Sequence, residues 1–176
     1  LSKVTRKKLL EHLLDSVFPE PIYRSLYSGG QAGNVLKLVR KMVVPAGVKT
    51  FFFKLHTGTL PVKTWMEEKG LFLPWGADCL LCHKPESIEH VFIDCWDALL
   101  FWDVLQRTIK KDLPLTPYGI RFLDVEPDLY KYDVIFLLGL HSIWRSRMAV
   151  RHCDEDARSV RDYFKENIFK LREVYK

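Results

Sequence analysis

CLLCHKPESIEHVFIDCW, residues 79–96, gathers three of the chain's four cysteines around His90. The spacing is C-x2-C-x7-H-x4-C, supplied by Cys79, Cys82, His90 and Cys95. Two cysteines separated by two residues make a tight turn that aims both sulfurs at one point. His90 and Cys95, on a short helix or at its end, fall within reach of the same point. Three thiolates and one imidazole are soft-to-borderline donors in tetrahedral number, the set that suits Zn2+. With the shell filled by protein there is no open position for an activated water, so the metal is expected to hold structure and not to catalyse. His83 sits inside the turn and is a poor fourth donor. Cys153 stands alone, which argues against a disulfide framework and leaves it as a small core filler.

Outward from this window, the chain has the means to bury a core. It is 176 residues long and 48% apolar, enough for one compact domain or two small lobes. Twenty-seven Lys and Arg against 22 Asp and Glu give a net charge of +5, which favours an anionic partner. No apolar run is long enough to span a membrane, and the N-terminal LSKVTRKKLLEHLL is amphipathic, without a signal core or cleavage site. These features predict a soluble, intracellular protein of nucleus or cytoplasm with no membrane partner. A first residue of Leu1 predicts a piece of something longer.

Apolar residues recur at three and four positions, and no clean two-residue alternation appears, so the expected fold is all-α. Thr5–Phe18 reads as a first helix with Leu9, Leu10, Leu13, Leu14 and Val17 on one face, stopped by FPEP. After the glycine-rich SGGQAG, a second helix is expected to start at the capping residue Asn34. Pro45 fits the first turn of a third, ended by Gly58, and Pro61 opens a fourth, ended by Gly70. Glu86–Lys110 reads as a helical run broken near Cys95, and DLPLTPYGIRFLDVEPD as irregular. Pro127 is expected to open a long helix to Cys153, and DEDARSVRDYFKENIFKLREVYK a last one whose acidic start suits a helix N-terminus. The fold so predicted is an irregular helical domain with a Cys3His zinc knuckle and a C-terminal antiparallel helix pair. The domain division is drawn as an N-terminal helical linker region, 1–45, and a zinc-binding helical domain, 46–176.

The cations fall into groups: Arg6, Lys7, Lys8; Lys37, Arg40, Lys41; and Arg145, Arg147, Arg151, Arg158, Arg161. Arg147 and Arg151 are one helical turn apart, and Lys165 continues the spacing of Arg158 and Arg161, so two helices are expected to converge on one phosphate-binding stripe. The aromatic run from Trp96 to Leu105 is apolar on nearly all sides and is expected in the core. Trp75, in a Pro-Trp-Gly loop, is the aromatic expected to stay exposed and stack on bases. The Pro-Asp of VEPDLYKYD lacks the second acid and the lysine a metal-dependent nuclease needs, and no catalytic set is found.

The stretch FKLHTGTLPVKTWMEEKGLFLPWGADCLLCHKPESIEHVFIDCWDALLFWDVL resembles the zinc-binding region that follows the reverse-transcriptase domain in non-LTR (LINE-type) retrotransposon polyproteins. The matching marks are Phe53-Lys54-Leu55-His56, Leu60-Pro61, a helix ending at Gly70, the Cys79/Cys82 pair, Glu89-His90 with Phe92, Cys95 and Trp102. The later LLGLHSIWRSRMAV, with Trp144-Arg145 and Arg147, is similar to that family's trailing helix, so the resemblance runs from about Phe51 to Val150. It implies a nucleic-acid-binding role, on RNA before DNA, beside a polymerase domain during target-primed reverse transcription. It also implies that residues 1–45 link the two. The chain itself is then no enzyme, the parent polyprotein being the RNA-directed DNA polymerase. The alternatives are an element-derived protein-interaction scaffold and a DNA-binding regulator.

Overall fold

The three- and four-residue apolar spacing is realised as helices joined by irregular connections within residues 5–17 and 35–174, the residues described by a computed structural model. Among these residues there is no strand, only an isolated bridge between Asp78 and Pro85. FPEP, SGGQAG and the cap at Asn34 lie outside the described residues. Contacts divide the chain into two units, 1–31 and 32–176. In the first, α1 (Arg6–Val17) exposes Leu9, Leu10, Leu13 and Val17, with Arg6, Lys7 and Lys8 also at the surface.

The second unit begins with α2 (Val35–Lys41), whose Val35 and Val39 join the same core as Val48 and Phe52 of α3 (Ala46–Thr57). Packing therefore groups 35–44 with the zinc-bearing unit, where the sequence reading had drawn the line at 45. Pro45 and Gly58 delimit α3 as expected. Gly58 takes φ 70 and returns its N–H to the α3 carbonyls, a conformation glycine reaches without a Cβ clash. Next come α4 (Lys63–Glu68), a π-helical turn (His90–Asp94), and α5 (Trp96–Ile109), with the expected break at Cys95.

The long irregular stretch contains an unexpected helix, α6 (Pro117–Phe122). Thr116 caps it by accepting from the N–H of Gly119 at 2.9 Å, and Pro117 fills the first helical position. The long helix α7 (Tyr132–Arg151) starts five residues after Pro127, and α8 (Val160–Val174) starts after the acidic run 154–156 instead of at it. Both expected starts are corrected, because those residues form the connections. No helix among the described residues is long and apolar enough to cross a membrane.

Helix α7 is the axis of the unit, with Phe136, Leu137, Leu138 and Leu140 all inaccessible to solvent. It pairs antiparallel with α8: Ser142 accepts from Asn167 Nδ2 at 2.9 Å, while nearer the turn Ser146 Oγ donates to the carbonyl of Arg158 at 3.2 Å. Against its other side lies Trp102 of α5, whose Nε1 donates to the carbonyl of Phe92 at 2.8 Å. Gly139 explains the close fit, since a Cβ there would stand 2.7 Å from the Trp102 ring. In an open helix Gly→Ala stabilises by about 1 kcal/mol. Gly139→Ala is expected to do the reverse and destabilise by about 1–3 kcal/mol through overpacking, read as a lower melting temperature. An unchanged or raised melting temperature would show that the indole can shift at no cost.

Helix α5 is one-sided, contrary to the all-round burial expected of it. Ala98, Trp102 and Leu105, at i, i+4 and i+7, are buried, whereas Trp96 is 75% exposed, and Leu99, Leu100 and Val104 also face outward.

Candidate metal centre

The first two donors come from a tight loop closed at its neck. Cys79 N–H donates to Lys84 O at 2.8 Å, Glu86 N–H to Ala77 O at 2.9 Å, and inside the loop His83 N–H donates to Cys79 O at 2.9 Å. His83 carries the left-handed turn at φ 52 and is itself exposed, away from the donors, as its position in the turn foretold. The loop leaves Cys79 fully buried and Cys82 half-buried with their sulfurs on one side.

The other two donors depend on the π-helical turn. Five positions along an α-helix of 3.6 residues per turn rotate a side chain about 140° away from the starting face. A turn that closes five residues on, with Cys95 N–H donating to His90 O at 2.7 Å, removes most of that rotation. Cys95 then breaks into extended backbone, φ −68 and ψ 141, before α5 begins. The H-x4-C spacing is thus converted into two donors at one point.

All four donor atoms lie within 4.8 Å of one another. Cys95 Sγ is 4.0 Å from Cys79 Sγ and 3.7 Å from Cys82 Sγ. These separations are far beyond a disulfide and close to the roughly 3.8 Å expected between sulfurs at about 2.3 Å from one tetrahedral ion. His90 is buried and its Nε2 has no hydrogen-bond partner, as a nitrogen reserved for a ligand would be. The donor set fits a zinc ion. In the metal-free protein burial resists ionisation of Cys79, yet the His90 ring, the amides of Leu81 and Cys82 and the Arg147 charge carry its thiol down to about 6. At Cys95 burial prevails over the Asp97 amide and Arg147, and its thiol is pushed up to about 11.

A shell of charged groups surrounds the sulfurs. Arg147 of α7, only 9% exposed, donates from Nη1 to Cys79 Sγ at 3.3 Å and from Nη2 to Cys95 Sγ at 2.9 Å. Glu86, 1% exposed, pairs with Arg147 at 3.8 Å and with Arg151 through a short hydrogen bond. Arg151 also donates to the carbonyl of Pro61 at 2.7 Å. Lys63 is buried as well, with Nζ donating to Asp78 O at 2.6 Å. Arg147 and Arg151, expected on a phosphate-binding stripe, are instead turned into the fold: their guanidiniums are committed to sulfurs, a buried carboxylate and a carbonyl. The sequence offered a signal for this. Phe136, Leu140, Ile143 and Arg147 share one helical face, and the first three are core residues.

The remaining candidates are at or near the surface. Arg145 is half-buried, paired with Glu166 at 3.3 Å and stacked over Tyr163 at 4.3 Å. Arg158, Arg161 and Lys165 are exposed where α8 begins, Arg158 reaching Glu166 at 3.5 Å and Lys165 reaching Asp162 at 4.0 Å. Trp75 is 75% exposed, in keeping with its loop. Cys153 is exposed at φ 51 in the turn that ends α7, so it is no core filler. The sequence reading also missed the lock between α3 and α6. His56 Nδ1–H donates to Arg121 O at 2.8 Å, and Arg121 in turn bonds Leu55 O at 3.2 Å and Glu89 at 3.2 Å. Burial holds the His56 pKa below its ordinary value, favouring the neutral ring.

A closed Cys3His centre in an all-α domain defines a structural zinc-binding module. Residues 20–102 match the family model described as zinc-binding in reverse transcriptase, a stretch just under half of the chain that includes His56 and all four donors. This stretch is similar to the zinc-binding part of reverse transcriptase, and the Cys3His group it contains is one able to hold a zinc ion. No curated protein and no solved structure matches the chain.

Proposed function

We propose that Cys79, Cys82, His90 and Cys95 hold one zinc ion as a closed structural centre. In this reading the chain serves as a nucleic-acid-binding module of a LINE-type reverse transcriptase. It acts inside the cell, in nucleus or cytoplasm, engaging template or target beside the adjacent polymerase domain, with RNA favoured over DNA. The observation that carries the reading is the match of residues 20–102 to a zinc-binding part of reverse transcriptase. The nucleic-acid contact is assigned to Arg158, Arg161 and Lys165, with Trp75 as a stacking surface and Arg6, Lys7 and Lys8 as a further basic group. Arg145, held by Glu166 and Tyr163, has a supporting place beside them. The pairs that Arg158 and Lys165 make are solvent-exposed, and such pairs hold their cations only weakly.

Binding to RNA, single-stranded DNA and duplex DNA, measured over a range of salt, tests this. Each neutralised phosphate steepens the log-log dependence on salt by about 0.7–0.9. Replacing Arg158, Arg161 and Lys165 by Ala is expected to flatten the slope by about two units and to weaken all sequences alike. A wild-type slope in the triple variant would remove these residues from the interface, and salt-insensitive or absent binding would sink the nucleic-acid reading. In that event the element-derived protein-interaction scaffold gains. It is favoured by the outward face of α5, where Leu100, Phe101 and Val104 meet Phe164 of α8 along a cleft of about 470 Å³. Preference for duplex DNA over RNA would instead support a DNA-binding regulator.

A further inference from the structure

The metal centre extends beyond the loop that carries its donors. We infer that Arg147 of α7 is a positioning residue for the zinc site, holding two of its three thiolates by charged hydrogen bonds and balancing the charge of the bound centre. The inference rests on the zinc reading above and adds a residue that lies 45 positions past the end of the matched family segment at 102.

The geometry is specific. One guanidinium, 9% exposed, spans Cys79 from the loop and Cys95 from the end of the π-helical turn, with N···S distances of 3.3 and 2.9 Å. A planar fork with two donors on one side can bridge two acceptors that an ammonium can meet only one at a time. Its own orientation is fixed by Glu86, which also pairs with Arg151 one turn further along α7. Glu86 lies four residues beyond Cys82, so the zinc loop and α7 are tied at the sulfurs and again at the carboxylate.

The charges complete the reasoning. A divalent ion with three thiolates and a neutral imidazole carries a net charge of −1. Glu86, Arg147 and Arg151 together carry +1. The buried assembly in direct contact is therefore neutral when the metal is bound. Lys63, which lines the same side, bonds the Asp78 carbonyl and not a sulfur, so it does not replace Arg147. Outer partners of this kind fix the direction of metal ligands, and their loss commonly weakens metal binding by about 10–100-fold.

The experiment compares the full chain with Arg147→Gln, which removes the charge, Arg147→Lys, which keeps it, and Arg107→Gln, a surface control exposed on α5. Zinc affinity is measured by competition with a chromophoric chelator, and the sulfur-to-metal charge-transfer band is recorded on the cobalt-substituted protein. Arg147→Gln is expected to bind zinc about 10–100-fold more weakly. Its charge-transfer band should move to lower energy, because N–H···S bonds stabilise the sulfur lone pairs. Arg147→Lys should be less affected and Arg107→Gln unchanged. A merely structural arginine would alter stability without moving the band. Wild-type affinity and band in Arg147→Gln, or equal losses in the Gln and Lys variants, would overturn the inference. Should Arg147→Gln fail to fold, the Lys variant decides: a shifted band sustains the role and an unshifted one overturns it. Failure of the wild-type chain to bind zinc would be a different result, sinking the zinc reading itself.

Discussion

Cys82→Ser is expected to abolish stoichiometric zinc binding and to lower the melting temperature by at least about 10 °C. Structural zinc in small modules supplies on the order of 10 kcal/mol of apparent binding free energy at neutral pH, so losing even half of it matters. In a domain of 150–250 residues each kcal/mol moves the melting temperature by about 2–4 °C. The loss should be large because the loop is continuous with the core: Cys79 and Cys95 are fully buried beside Val91 and Phe92. Cys153→Ala is the matched control, an exposed thiol outside the donor set, and should leave the zinc content at one per chain.

Acidification should mimic the Ser variant. Bound donors carry no protons, whereas in the metal-free protein Cys95, at about 11, is still a thiol at neutral pH and must give up its proton to bind. The metal-free state therefore holds more protons, so the stabilisation by zinc grows with pH and is lost as pH falls. Below about 6 Cys79 also takes up a proton, and the loss should steepen. Elemental analysis with melting curves at several pH values checks both statements. A Cys82→Ser chain that keeps one zinc and the wild-type melting temperature would contradict them.

Glu86→Ala should be nearly as damaging although it removes no metal donor. The carboxylate is 1% exposed and lies between two guanidiniums whose side chains are 8% and 15% exposed. Removing one member of a buried charge network leaves uncompensated charge in the interior and costs about 3–5 kcal/mol. The expected fall in melting temperature is roughly 6–20 °C by the same scaling. Glu89→Ala gives the contrast, since its pair with Arg121 is 37% exposed on the carboxylate side and should cost far less. Equal, small effects from the two substitutions would mean that water reaches Glu86 freely.

The donor set was legible because its chemistry is local: two cysteines in one turn, with a histidine and a cysteine on one short segment. Helix α3 was legible for a similar reason, since Pro45 and Gly58 act on their own neighbours. What escaped depends on distant partners. The π-helical turn is supported by Trp102, ten residues on, whose indole bonds the Phe92 carbonyl. Helix α6 carried its own local signal, Thr116 followed by Pro117, inside a stretch otherwise too rich in proline to suggest a helix. Arg147 and Arg151 were read as solvent-facing because arginine usually is. The partners that give their charges somewhere to go are all distant in sequence: the buried carboxylate of Glu86 for both, and the sulfurs of Cys79 and Cys95 for Arg147.

The π-helical turn also makes residues 91–94 tolerant of losing a residue and intolerant of gaining one. Taking one out would let the backbone close as ordinary α-helix, with hydrogen bonds four residues back, and would leave His90 and the following cysteine about 40° apart on one face. Adding one would turn everything downstream by about 100° and slide it by about 1.5 Å. Cys95 would then swing off the face it shares with His90, and Trp102 would leave the carbonyl of Phe92 and the bare backbone at Gly139. Substitutions in this stretch are matters of degree, whereas a single-codon insertion there would break both the donor geometry and the core at once.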